Sequence, residues 1–103
     1  MATLHIEHPI VDFDMWSTAF ERFADIRKRS GVRGQRVSRP VDDTHYVIID
    51  LDFDAVDEAQ EFLTFLETKV WSSQKNAPAL AGRPETVIFD RVASDWTAPG
   101  QRR

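Results

Sequence analysis

Cysteine is missing from all 103 residues. That removes disulfides, a thiol nucleophile and thiolate metal sites together. Glycine occurs only four times, so a phosphate-cradling loop has little to be built from. No Walker pattern, no Gly-x-Gly-x-x-Gly and no Gly-x-Ser-x-Gly elbow occurs. Excess positive charge is absent too: 13 basic residues face 17 acidic ones, for a net charge of -4. General nucleic-acid binding needs net or clustered positive charge, and is not expected. No apolar run approaches the ~20 residues of a membrane span. No apolar block follows a basic start, so no secretory signal is expected and a cytoplasmic location is. Neither a solenoid-period repeat nor a low-complexity segment is present.

What remains is an ordinary globular balance, 42% hydrophobic and 29% charged, in a chain long enough for one core. The expected organisation is a single domain over residues 1–93 and a flexible tail over 94–103, where Pro99 and Gly100 fall. Residues 2–9 alternate, with Leu4 and Ile6 on one face and His5 and Glu7 on the other, which predicts a half-buried strand ending at Pro9. Asp12 or Asp14 can cap a helix whose stripe is Phe13, Trp16, Ala19, Phe20, Phe23, Ile26 and Arg27. Gly31 is its expected C-terminal stop. Residues 32–39 read as a polar strand closed by Pro40, and residues 45–53 as a central strand with apolar side chains on both faces. Asp54 is expected to cap a second helix with the stripe Ala55, Ala59, Phe62, Leu63, Leu66 and Val70. A loop over 72–82 and a last strand over 86–92 complete the chain.

The order is β-α-β-β-α-β, which predicts an α+β, ferredoxin-like fold: a four-stranded antiparallel sheet with two helices on one face. The helices cover only one sheet face. Leu4, Ile6, Val47, Ile49, Leu51, Val87 and Phe89 are assigned to it by parity. The other face then holds His5, Glu7, Arg36, Tyr46, Ile48, Asp50 and Ile88. Tyr46, Ile48 and Ile88 would leave an apolar patch in water, and a second sheet laid on it resolves this.

At this point the chain resembles the dimeric α+β barrel proteins, among them the small antibiotic-biosynthesis-monooxygenase and cyclase-like members. The resemblance rests on the element order and on the helix start Asp12-Phe13-Asp14-x-Trp16-x-x-x-Phe20. The segments Val70-Trp71-Ser72 and Pro78-Ala79-Leu80 are compatible with it. It implies a homodimer with a cavity between stacked sheets, and a small hydrophobic or aromatic ligand. The reactions found on this fold are diverse, so it implies no single one.

Within that frame His5, Glu7, Tyr46 and Asp50 are the candidate catalytic residues. His5 would be the base, Glu7 or Asp50 would orient it, and Tyr46 or Arg36 would stabilise an oxyanion. Arg36, Ile48, Ile88 and Trp71 are the candidate ligand contacts, with Trp71 at the mouth of the barrel or against a partner subunit. The plainer reading of the polar residues is a self-satisfied cluster at a dimer interface. No metal site is expected, because His8 should face away from His5. No cofactor is needed if the substrate is an electron-rich polyphenol that reacts with dioxygen itself. Two functions stay open: a cofactor-independent monooxygenase or cyclase, and a non-catalytic module whose barrel is filled by side chains.

Overall fold

The computed structural model describes residues 1–92; the expected tail lies outside the described residues. Strand β1 (Ala2–Pro9) leads through Asp12 into α1 (Phe13–Arg22) and α2 (Ala24–Arg29). Strands β2 (Gly34–Ser38) and β3 (Tyr46–Phe53) follow, then α3 (Val56–Phe65), a π-helical turn at Leu66–Val70, and β4 (Glu85–Asp90). The sheet order is β2-β3-β1-β4, and every neighbouring pair is antiparallel. This is the expected ferredoxin-like α+β arrangement. No helix of the described residues is long and apolar enough to cross a membrane.

Strand β1 is central, flanked by β3 and β4, and its alternation is strict. Ala2, Leu4, Ile6 and His8 are buried beneath the helices, while Thr3, His5, Glu7 and Pro9 are half-buried on the other face. Leu4, Val47, Leu51 and Phe53 are the largest fully enclosed side chains. They meet Trp16, Ala59, Phe62 and Leu63 from the helices to form the core.

Three expectations are corrected. The first helix is broken at Phe23, whose φ of -101° and ψ of 14° leave the helical region. The carbonyl of Phe20 accepts from the Arg27 Nη1 at 2.6 Å and from the Phe23 N–H at 3.2 Å. A side chain inserted into a helix's carbonyl ladder is a known cause of such a bend. The second helix is capped at Ala55, not Asp54. Glu58 reaches back to the Ala55 N–H at 3.3 Å, and Asp54 instead pairs with Arg33 at 2.8 Å.

The third correction concerns β4. Leu4 pairs with Ile88 and His5 with Val87, so Ile88 turns towards the helices and packs on the core. Val87 and Phe89 turn outward and are about half exposed, at 49% and 51%. Apolar residues on both parities of 86–89 left the face undecided by composition, and pairing with β1 decides it.

Candidate functional site

The open sheet face collects the four candidate catalytic residues into one hydrogen-bonded network. Asp50 lies directly opposite His5 in the β1–β3 register. His5 Nδ1 is 2.7 Å from Asp50 Oδ1, and His5 Nε2 is 2.8 Å from Glu7 Oε2. The Tyr46 hydroxyl donates to the other Glu7 oxygen at 2.7 Å. Carboxylates only accept, so both ring nitrogens donate when the imidazole is charged. The hydrogen bond to Glu7, with Asp50 adding to it, raises the His5 pKa against a smaller opposing effect of burial. The same bond lowers that of Glu7. Accepting the Tyr46 proton, Glu7 pushes the phenol up to about 12.

Arg36 and Ile48 share this face. Arg36 stands opposite Asp50 in the β2–β3 register, but its guanidinium forks onto Asp52 at 2.9 and 3.1 Å. Thr3 Oγ1 donates to the same carboxylate at 2.8 Å, and Asp52 is held below the usual carboxylate range, chiefly by Arg36. The remaining two candidate ligand contacts are elsewhere. Ile88 is on the helix side, by the register given above. Trp71 is not on the open face either: it stands edge-on to His8, with ring centroids 6.4 Å apart.

His8 and Trp71 belong to a second place, between the sheet and the helices. A cavity of about 70 Å³ lies there. Ile6, Ile49 and Leu51 form its floor, Trp16, Phe20 and Arg27 one wall, and Leu66, Trp71 and Asn76 the other. The π-helical turn and the segment after it supply that last wall. Asn76 is fixed by its side-chain amide donating to the Lys69 carbonyl at 2.8 Å. Trp71 also lines an open groove on the outer surface with Glu67, Leu80, Arg83 and Pro84, so its indole partitions the two spaces.

The chemistry of His8 differs from that of His5. It is 3% exposed, and its Nδ1 is 2.9 Å from the Pro9 carbonyl. A carbonyl only accepts, so Nδ1 carries the hydrogen and Nε2 the lone pair. Burial lowers its pKa, against a smaller opposing effect of that carbonyl. Such an imidazole presents to the apolar cavity a nitrogen that can accept a hydrogen bond from a guest.

Sequence reading set His8 aside and placed Arg27 in the stripe of the first helix without giving it a role in a site. Both carried a signal. His8 shares parity with Leu4 and Ile6, and Arg27 continues the Trp16, Phe20 and Phe23 stripe. A polar side chain on an apolar face was the mark in each case. Asn76 in its loop carried none. Among the described residues no group of three or more His, Asp and Glu side chains is placed to hold a metal ion.

No family model matches the chain, and no curated protein sequence matches it. Solved structures do. A dimeric ferredoxin-like protein from an uncultured marine organism superimposes with a TM-score of 0.68 at 11% identity, over 91% of this chain and 97% of that one. The cofactor-independent oxygenase SnoaB of Streptomyces nogalater gives 0.66 at 14% identity, over 95% and 96%. A protein from Nitrosomonas europaea, described as a candidate antibiotic biosynthesis monooxygenase, gives 0.66 at 13% identity, over 90% and 100%. At these identities the likeness is one of fold.

Proposed function

We propose that this protein binds a small aromatic molecule in the cavity between its helices and its sheet, and that His8 is the general base there. The observation that carries this reading is the buried, neutral His8 with Nε2 free on an apolar cavity. Trp16, Phe20 and Trp71 in the walls suit an aromatic guest. An electron-rich phenol that gives its proton to Nε2 becomes a phenolate able to reduce dioxygen without a cofactor. The same proton transfer would start an aldol closure in a cyclase. A volume of about 70 Å³ holds several waters, so a polycyclic substrate needs Trp71 to swing towards the outer groove. That structural neighbours include proteins described as oxygenases supports the choice of chemistry.

In this proposal the role of base passes from His5 to His8. His5 sits between two carboxylates that hold its proton, and a base must be empty-handed. His5, Glu7, Tyr46 and Asp50 serve a homodimer instead, in which two open faces stack. The half-exposed Val87 and Phe89 on β4, which share the open face with Ile48 and Tyr46 across β1, support it, and such an interface would bury about 1,200 Å² or more in total.

Oxygen uptake with an anthrone, which O₂ converts to the anthraquinone and water, tests the enzyme. His8→Gln is expected to lose uptake, and His5→Gln to keep it. Binding of the anthrone without uptake would remove the oxygenase and leave a ligand-binding module. Uptake that survives His8→Gln would remove His8 from the chemistry.

A further inference from the structure

The cavity is lined by a cation that has no ion-pair partner among the described residues. Arg27 is 4% exposed. Its Nε donates to Gln35 Oε1 at 3.0 Å and its Nη1 to the Phe20 carbonyl at 2.6 Å. Its guanidinium carbon lies 3.6 Å over the Phe20 ring. Each of these partners is uncharged. Among the described residues Arg27 forms no ion pair; Glu21 acts on it only through space. Among the described residues no carboxylate lines the cavity, and His8 there is the neutral imidazole described above.

An unpaired buried charge is costly, and proteins ordinarily pair it or neutralise it. Arginine does not take the second route, because it keeps its proton. The guanidinium has five donors, and Nη2 has no hydrogen-bond partner among the described residues. Yet among the described residues no sequestered side-chain nitrogen or oxygen lacks a partner. Nη2 therefore lies where a guest or water can reach it, on a residue that lines the cavity.

We propose that Arg27 is an anion subsite, and that the guest of this cavity is an aromatic oxyanion — a carboxylate or an ionised phenol — whose charged oxygen bonds to Nη2. The ring of such a guest lies among Trp16, Ile49 and Leu66, and the oxyanion supplies the counter-charge that the protein lacks. This rests on the cavity being a binding site, as proposed above, and adds the charge and class of what enters. It also separates two jobs: Arg27 selects by charge, and His8 moves a proton.

Benzoate and benzamide, nearly equal in shape and different in charge, are the probes. Ligand-observed NMR titrations of the full chain give both dissociation constants. A charge-assisted bond in a desolvated site predicts benzoate binding about tenfold tighter or more than benzamide. Arg27→Gln should bring benzoate to the benzamide level and leave benzamide unchanged. A purely structural Arg27 would not separate the two probes. Equal binding to the wild type, or benzoate affinity that survives Arg27→Gln, overturns the anion subsite and leaves the cavity reading intact. If neither probe binds, or if the cavity-filling Ala19→Trp displaces neither, the cavity reading fails and the subsite with it. Should Arg27→Gln not fold once its tie to Phe20 is lost, the wild-type ratio alone decides.

Discussion

His5 and His8 project from opposite faces of one strand and titrate in opposite directions from the same ordinary value of 6.5. His5 is raised, so its contribution is complete below 6.5 and is lost as pH climbs through its folded value. His8 is lowered, so its contribution is complete above 6.5. As pH falls below 6.5 the unfolded chain takes up its proton before the native state does, and stability drops. Together they predict a stability maximum near pH 6.5 in urea titrations run from pH 5 to 9. One proton sets a limiting slope of about 1.4 kcal/mol per pH unit. The alkaline side should be the shallower, because the His5 side chain is 23% exposed and its partners are screened. His8→Gln should flatten the acid side and His5→Gln the alkaline side. A monotonic rise across the range would mean that one of the two environments is misassigned. The alternation of β1 made this opposition legible in the sequence, since it separates His8 from His5. The direction of each shift was not legible, because it depends on what surrounds each ring: Glu7 and Asp50 bonded to one, the apolar cavity beneath the helices around the other.

At the scale of the element, the signals that worked were local. Asp12 accepts from the Met15 N–H at 2.9 Å, as a capping aspartate should. Asp12→Ala is expected to cost about 1 kcal/mol, read as a lower midpoint in thermal unfolding, while binding at Arg27 is unchanged. An unaltered midpoint would mean that the end of α1 is held by packing alone. The signals that failed were those decided by a partner. The break at Phe23 needs the Arg27 side chain to fold back onto the Phe20 carbonyl. The outward turn of Val87 and Phe89 needs β1 to set the register. Phe65, which falls off the expected stripe, packs against Phe23 and Phe62. Helical spacing alone does not foresee the wide turn that follows it.

For the whole molecule, the order of elements was enough to give the sheet order and the layer of helices on one face. It was enough because the short polar segment between β2 and β3 admits only a hairpin, and a hairpin at that point excludes a doubly wound sheet. The same reading looked for a cavity only between stacked sheets and did not foresee the one beneath the helices. It treated the helix layer as solid core, and a gap of about 70 Å³ between aromatic side chains has no signature in spacing. The open face makes a prediction at this scale. If two open faces stack as proposed, Ile48→Asp should turn the dimer into a monomer in sedimentation velocity, since it would press an unpaired charge into the stacked sheets. Ile48→Val should remain a dimer. If Ile48→Asp stays dimeric, the two copies meet elsewhere.

The π-helical turn at Leu66–Val70 carries a consequence for how this chain tolerates change in length. A π turn accommodates one residue more than the α-helix around it would, and that surplus is taken up before Trp71. Deleting Thr68 would let the turn close to α-helical geometry. Because the surplus is taken up inside the turn, the residues after it would keep their places, and Trp71 would still stand beside His8. The same deletion in α3 (Val56–Phe65) would instead rotate every later residue by about 100° about the helix axis and carry Trp71 away from His8. The wide turn is therefore the one stretch of this helix where the loss of a codon is cheap.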